Sequence, residues 1–156
     1  MKKTLTPEQA KEKIQRYCAY QERSHQEVRN KLYEYGLYRT DVEESLSQLI
    51  TDGYLNEERF AKAFAGGKFR MKKWGRIRII HALEAKGVSA NCIRIGLKEI
   101  DEPTYLSTLR QLLEEKLPHV DAENVFALRD KLSKYVIQKG YEPDIVWKEI
   151  NGLIPK

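Results

Sequence analysis

The sequence is poor in the residues that build covalent cross-links and metal sites. Cysteine occurs only twice in 156 residues, at Cys18 and Cys92, and the two do not form a CxxC motif. Each lies among apolar residues with helical spacing, so we expect buried free thiols rather than a disulfide or a metal site. His25, His81 and His119 have no partner at a metal-ligand spacing. We therefore expect no metal and no cofactor.

Long apolar runs and catalytic motifs are missing as well. No segment approaches the roughly 20 apolar residues that span a bilayer, and no apolar stretch follows Lys2 and Lys3 as it would in an export signal. Gly66-Gly67 and Gly75 fit neither the GxxxxGK(S/T) phosphate loop nor the GxGxxG fingerprint. We expect Gly66-Gly67 instead to allow close helix packing or to weaken a helix. The sequence thus predicts a cytoplasmic protein that is not an enzyme and does not bind membranes.

Strand patterns are rare, whereas helix starts recur along the chain. Residues 6–9, TPEQ, combine an N-cap threonine, a proline at the first helical position and acidic or amide side chains in the first turn. Residues 24–27, SHQE, form a second capping box. Apolar periodicity then predicts helices at Pro7–Tyr20, Glu57–Lys73 and Glu102–Leu117, each of them the first helix of one third of the chain.

Three glycines, Gly36, Gly87 and Gly140, stand in the same sequence context. Hydrophobic side chains lie eight and four residues before each glycine, and one, six, ten and thirteen residues after it. These eighteen residues are Val28, Leu32, Leu37, Val42, Leu46 and Leu49; Ile79, Leu83, Val88, Ile93, Leu97 and Ile100; and Leu132, Val136, Tyr141, Val146, Ile150 and Leu153. A helix-ending glycine with a recurring hydrophobic frame indicates a repeated helical unit.

We therefore predict an all-α fold of three tandem three-helix repeats, helix-turn-helix-like in plan. The repeats would cover residues 1–55, 56–100 and 101–156, with the second helix of the last repeat beginning near Asp121. Because each unit buries only a small core, neighbouring repeats would stack to complete it. Such stacking predicts an elongated, curved array.

Positive charge is concentrated in the middle of the chain. Glu57–Lys98 holds eleven Lys/Arg against three Glu, a net of +8, while the remaining residues hold seventeen against twenty, a net of −3. The two values add to the overall +5. A local basic excess of this kind is typical of a polyanion-binding surface. The middle repeat is therefore the candidate binding region.

The cations of this region are not offset by neighbouring acids, because Asp and Glu are absent from Arg59 to Leu83. The alternative to a binding role is that these cations form a solvated helix face. Candidate contact residues are Lys62, Lys68, Arg70, Lys72, Lys73, Arg76 and Arg78.

One aromatic residue lies among these cations. A helical wheel places Phe60, Phe64, Gly67, Met71 and Trp74 on one apolar stripe and Phe69 roughly opposite to it. An aromatic side chain among cations suits stacking on a base or docking in a protein groove. The alternative for Phe69 is packing against the neighbouring repeat.

A helix-turn-helix reader of DNA sequence is less well supported. The last helix of the middle repeat, about Ser89–Ile100, offers Arg94 together with Asn91 and Lys98. The corresponding helix of the first repeat opens with Asp41, Glu43 and Glu44, which would repel phosphate. Sequence-specific readout is therefore not expected, although Arg94 stays a candidate contact.

Several motifs resemble a known family, the bacterial RecX regulators of RecA recombinase. They are Ser24-x-x-Glu27-x-Arg29-x-Lys31-Leu32-x-x-x-Gly36, then Leu49-x-x-x-Gly53-Tyr54-Leu55-Asn56-Glu57-Glu58-Arg59-Phe60-Ala61, then Lys72-x-x-Gly75 and Ile79-x-x-x-Leu83-x-x-Lys86-Gly87-Val88. The resemblance covers the first two repeats by motif and the third by architecture. Asn56 stands where the family often has Asp, which we interpret as a structural difference.

The resemblance implies a crescent of helical repeats that binds RecA filaments on single-stranded DNA within their helical groove. It implies suppression of ATP hydrolysis, strand exchange and co-protease activity, and so damping of the SOS response, by a non-enzymatic protein. We expect the protein to be a monomer. In this hypothesis the central cations make most of the contact, and Arg23, Arg29 and Lys31 extend it. Two alternatives stay open: a stand-alone non-specific DNA-binding module, and a repeat scaffold for an acidic protein partner.

Overall fold

The computed structural model describes residues 4–155 as helices joined by short connections. The helices are α1 (Pro7–Tyr20), α2 (His25–Glu34), α3 (Arg39–Thr51), α4 (Glu57–Lys72), α5 (Arg76–Ala85), α6 (Ala90–Leu97), α7 (Glu102–Lys116), α8 (Val125–Ile137) and α9 (Pro143–Leu153), with a 3-10 turn at Leu117–His119 after α7. No strand occurs within residues 4–155, so the predicted all-α class is confirmed. Lys2 and Lys3, on which the expectation about export rests, lie outside these residues.

Local capping explains why the first helices begin where the sequence predicts. The Thr6 hydroxyl accepts from the Gln9 N–H at 3.3 Å, and the Gln9 amide oxygen accepts from the Thr6 N–H at 3.0 Å. Ser24 and Glu27 make the same reciprocal pair at 3.1 and 3.3 Å. Both capping boxes satisfy backbone donors that the first helical turn leaves unpaired. Over residues 4–155, no helix is long and apolar enough to cross a bilayer.

The predicted start of α8 near Asp121 is wrong. The 3-10 turn after α7 ends at Val120, whose backbone is extended with φ −95° and ψ 119°. The helix begins only at Val125, because the Asn124 side chain accepts from the Ala127 N–H at 2.8 Å and so caps it.

The three glycine turns have the same backbone geometry. Gly36, Gly87 and Gly140 have φ of +91°, +76° and +105°, in the left-handed region that favours glycine. In each turn the residue after the glycine donates its N–H to the carbonyl four residues before the glycine, which is the longer bond of a Schellman motif. These bonds are Leu37 to Leu32 at 3.4 Å, Val88 to Leu83 at 3.1 Å and Tyr141 to Val136 at 3.3 Å.

The hydrophobic frame around the glycines is buried almost throughout. Of the eighteen frame residues, all are buried except Leu97 and Leu153, which are half-buried. The recurrence of the three-helix pattern is therefore confirmed by both turn geometry and burial. The repeat boundaries at residues 55/56 and 100/101 stay predictions.

The chain packs as two compact units. Unit 1 consists of Met1–Phe64 and Leu83–Gly96, and unit 2 of Ala65–Ala82 and Leu97–Lys156. Unit 1 buries side chains of α1, α2 and α3, among them Ile14, Val28 and Leu32. Unit 2 buries side chains of α7, α8 and α9 and the stacked rings of Tyr105 and Tyr141, whose centroids are 5.0 Å apart.

The close helix approach expected at Gly66-Gly67 occurs elsewhere. A Cβ added at Gly67 would meet no described atom within 4 Å, and the atoms nearest to one at Gly66 belong to the Arg70 side chain of the same helix. At Gly96 in α6, by contrast, a Cβ would lie 2.7 Å from the carbonyl oxygen of Ala61 in α4. Gly96 therefore allows α6 to pack closely against the backbone of α4 at Ala61.

Candidate functional site

Most of the predicted contact residues lie in one segment of unit 2, residues 68–78, which we call the basic turn. It comprises the end of α4, a short connection and the start of α5. Helix α4 ends at Lys72, and the next residue, Lys73, has φ +56° and is the one non-glycine residue with positive φ among residues 4–155. Such a conformation is unfavourable for a residue with a Cβ, so it requires support from surrounding contacts.

Support for Lys73 comes from the third repeat. The Tyr141 hydroxyl donates to the Lys73 carbonyl oxygen at 3.0 Å. Burial raises the pKa of Tyr141, with a further contribution from the nearby Glu142 carboxylate, so this hydroxyl keeps its proton. The left-handed end of α4 is thus held by a protonated, buried phenol 68 residues away in sequence.

The start of α5 is held by a second set of polar contacts. The Arg76 N–H donates to the Tyr105 hydroxyl at 3.0 Å, and that hydroxyl donates to Glu142. The Arg76 guanidinium pairs with Glu142 at 2.9 Å and with Glu102, and lies 3.9 Å from the centroid of the Tyr105 ring. Burial and the bond to Glu142 raise the pKa of Tyr105. For Arg76, burial opposes the charge, but the bonds to Glu142 and Glu102 raise its pKa.

Backbone contacts bring the basic turn against the glycine turn that follows α8. The Gly75 N–H donates to the Lys139 carbonyl at 2.8 Å, and the Ile77 N–H donates to the Gly140 carbonyl at 2.9 Å. A Cβ at Gly75 would lie 2.2 Å from the carbonyl carbon of Gly140. Only glycine fits at this distance, so the two segments are fixed side by side.

Several cations of the basic turn are left for an external partner. Arg70, Lys72 and Arg78 are exposed and Lys73 is half-buried, and none of the four makes a salt bridge with a carboxylate of residues 4–155. Since no acid occurs between Arg59 and Leu83, the local sequence offers them no partner. The result is a cationic surface that an anionic ligand can neutralise.

Trp74 lies at the centre of this surface. The Arg78 guanidinium is 4.4 Å and the Lys68 ammonium 5.0 Å from the indole centroid, both within cation–π range. The sequence places Trp74 on the apolar stripe of α4, but in the structure it follows the helix end and is only half-buried. An aromatic residue with two cations is therefore present, although it is not the residue that the wheel selects.

The position of Phe69 differs from the predicted one among the exposed cations. It is buried, with 6% of its surface exposed, and its ring lies 5.7 Å from that of Tyr105. Met71, predicted on the buried stripe, is 85% exposed. The wheel fails because the buried face of α4 shifts along the helix: Phe60 and Ala61 are buried in unit 1, and Ala65 and Phe69 in unit 2. Phe69 is a packing residue and is unavailable for stacking on a base.

The role of Arg76 also differs from the predicted contact with a partner. Its side chain is 19% exposed and carries two ion pairs within unit 2, so its charge is already neutralised by the protein. We therefore assign Arg76 to the framework of the basic turn and remove it from the contact set. Tyr105, Glu102 and Glu142, which complete the framework, carried no local sequence signal because their partners are distant in the chain.

The other predicted contact residues belong to unit 1, and most have partners there. Arg29 pairs with Glu43 at 2.7 Å, and this hydrogen bond lowers the pKa of Glu43. The remaining partners are Glu34 for Lys31 at 3.5 Å, the Tyr17 carbonyl for Arg23 at 2.9 Å, and Asn91 for Arg94. Lys62 is half-buried. Arg29 and Lys31 are therefore paired with carboxylates, whereas Arg23 and Arg94 contact neutral oxygens and keep their positive charge.

No group of three or more His, Cys, Asp or Glu side chains within residues 4–155 could hold a metal ion. Cys18 is buried and Cys92 half-buried, and both are free. The basic turn thus combines exposed cations with the half-buried Trp74 ring.

Comparison with known proteins identifies relatives of the chain. Residues 56–97 match the family model described as RecX, second three-helix domain. The regulatory protein RecX of Streptococcus uberis is 27% identical over 141 residues, covering 87% of this chain and 52% of the relative. That of Clostridium perfringens is 29% identical over 124 residues, covering 78% and 58%. The chain spans about half the length of these relatives.

Solved structures agree in fold. The crystal structure of RecX from Lactobacillus salivarius matches with a TM-score of 0.85 at 20% identity, covering 94% of this chain and 96% of that one. A crystal structure of a regulatory protein RecX matches with a TM-score of 0.83 at 18% identity, covering 94% and 71%. The predicted resemblance to the RecX family is therefore confirmed.

Proposed function

Since this chain resembles the RecX regulatory proteins in sequence and shares their fold, we propose that it is a negative regulator of a RecA-type recombinase. It binds the recombinase, or the recombinase filament on single-stranded DNA, in the helical groove. Binding inhibits ATP hydrolysis, strand exchange and SOS co-protease activity. The protein acts in the cytoplasm as a monomer, without a cofactor and without catalysis of its own.

The observation that supports this proposal is that Arg70, Lys72, Lys73 and Arg78, which lie near Trp74, make no salt bridge with a carboxylate of residues 4–155. A filament groove presents DNA phosphates and acidic protein surface, and cations that lack internal partners lose little by binding them. The working contact set is Lys68, Arg70, Lys72, Lys73 and Arg78, with Lys62, Arg94, Arg23, Arg29 and Lys31 as peripheral candidates. An elongated, curved array, as expected from the repeats, would follow such a groove.

The test is inhibition of recombinase ATPase on single-stranded DNA by substoichiometric protein. The triple variant Arg70→Gln, Lys72→Gln, Arg78→Gln removes three exposed charges without touching the framework. At about 0.5 kcal/mol for each exposed charge, it should need about tenfold more protein for half-maximal inhibition. The matched control is Lys98→Gln, Lys131→Gln, Lys148→Gln, which changes the net charge equally at other exposed positions of unit 2.

The proposal is supported if the wild type and the control variant both inhibit the recombinase and the triple variant does not. Equal inhibition by all three proteins would remove the basic turn from the site. Absence of inhibition by the wild type, with retained binding to DNA alone, would favour the stand-alone DNA-binding module. Retained binding to a protein partner with no response to nucleic acid would favour the scaffold.

A further inference from the structure

A second aromatic residue of unit 2 has two cations beside its ring. Tyr135, in α8, lies 4.8 Å from the Lys116 ammonium and 5.3 Å from the Lys139 ammonium, measured to the ring centroid. All three side chains are half-buried. The ring thus attracts one ammonium group from helix α7 and one from the turn after α8.

Neither ammonium group is compensated by a carboxylate. Lys116 and Lys139 make no salt bridge with any acid of residues 4–155. Glu115, beside Lys116 in sequence, accepts instead from the Gln111 side chain at 3.1 Å. By contrast, Lys134 of the same α8 helix pairs with Asp130 at 2.9 Å. Two uncompensated cations beside one ring form a positively charged position that an anion can neutralise.

This cation pair is attached directly to the basic turn. The Lys139 carbonyl accepts from the Gly75 N–H at 2.8 Å, so the backbone of Lys139 adjoins the residue after Trp74. The close approach of Gly75 and Gly140 fixes this contact. The arrangement at Trp74, one ring with two cations, therefore occurs a second time on a neighbouring segment of the same unit.

We propose that Lys116 and Lys139, held by Tyr135, form a second phosphate-binding position, and that a single-stranded nucleic acid binds across it and the Trp74 position. The inference rests on the proposed function and adds direct contact with the strand by the third repeat. Two separated aromatic–cation positions suit a phosphodiester backbone with unstacked bases. Both positions are cationic, and the successive phosphates of one strand can neutralise both at once.

The experiment is anisotropy of a fluorescent oligothymidylate with the full chain in the absence of recombinase, titrated between 50 and 200 mM salt. The variant Lys116→Gln, Lys139→Gln removes two phosphate contacts. Because each contact on a single strand contributes about 0.7 to the salt slope, the slope should fall by about 1.4, so that the variant loses about sevenfold less affinity over this range. Tyr135→Phe keeps the ring and should bind as the wild type does.

The control variant is Lys131→Gln, Lys134→Gln. It makes the same charge change from helix α8, which carries Tyr135, but these lysines have internal partners in the Asp121 carbonyl and Asp130. Its salt slope should equal that of the wild type.

An unchanged slope for Lys116→Gln, Lys139→Gln, or an equal fall for the control, would overturn the proposal. A wild-type protein that binds no oligonucleotide in the absence of recombinase would also overturn the proposal. The proposed function is tested independently, by inhibition of recombinase ATPase. If the variant lost inhibition of recombinase but bound DNA normally, the lysines would contact acidic protein, and the nucleic-acid assignment would be wrong.

Discussion

Arg76 and Arg78 are two residues apart and carry the same charge, yet the structure gives them different roles. Arg76 is 19% exposed and pairs with Glu142, itself 22% exposed, and with Glu102. Arg78 is exposed and contacts the Trp74 ring. We predict that Arg76→Gln destabilises unit 2 strongly, whereas Arg78→Gln leaves its stability almost unchanged.

The expected size of the loss follows from these contacts. Hydrogen bonds to charged groups contribute about 1.5 to 3 kcal/mol each, and removing one partner of a buried pair leaves its carboxylates uncompensated. Partial exposure to solvent reduces both effects, so we expect Arg76→Gln to lower the free energy of unfolding by about 3 kcal/mol. An exposed cation–π contact contributes about 0.5 kcal/mol, which sets the expected loss for Arg78→Gln.

Urea unfolding followed by tryptophan fluorescence measures this difference directly. Trp74 and Trp147, the only tryptophans of the sequence, both belong to unit 2, so the signal reports that unit. With a urea dependence of about 2 kcal/mol/M, the midpoint of Arg76→Gln should fall by about 1.5 M. Arg76→Lys, which keeps the charge but loses the planar fork, should lie between the two. Equal midpoints for Arg76→Gln and Arg78→Gln would refute the assignment of Arg76 to the framework.

Two further predictions use residues that serve as controls for one another. Gly67→Ala should raise the free energy of unfolding by about 0.5 to 1 kcal/mol, because its Cβ would meet no described atom and alanine favours a helix. Gly96→Ala should instead lower the free energy of unfolding by about 1 to 3 kcal/mol, because its Cβ would collide with the Ala61 carbonyl. Urea unfolding of both variants checks the pair, and equal shifts would contradict the packing described for α6. Burial raises the pKa of Cys18 to about 11, so at pH 8 its thiolate fraction is about one in a thousand and a disulfide reagent should modify half-buried Cys92 first. A Cys92→Ser variant isolates Cys18, and rapid labelling of that variant under native conditions would show that the core of unit 1 is open.

Sequence alone determined the helices and their recurrence. Thr6 and Ser24 cap their helices through bonds to residues three positions away, and the turns at Gly36, Gly87 and Gly140 close through bonds five positions apart. Such contacts lie within one helical turn or one connection, so residue type and spacing specify them without knowledge of the fold. The eighteen-residue frame was predictable for the same reason, since a helix buries one face at a fixed period.

Tertiary structure decided which cations of the basic turn are available. Arg76 finds its carboxylates 26 and 66 residues away in sequence, and Phe69 is buried against Tyr105. Lys139 joins the basic turn only because Gly75 and Gly140 allow their backbones to touch. A cation is available when no carboxylate of the folded chain reaches it, and that condition depends on contacts between distant segments. Local charge therefore located the candidate binding region, and long-range packing decided which of its cations are left without a carboxylate partner.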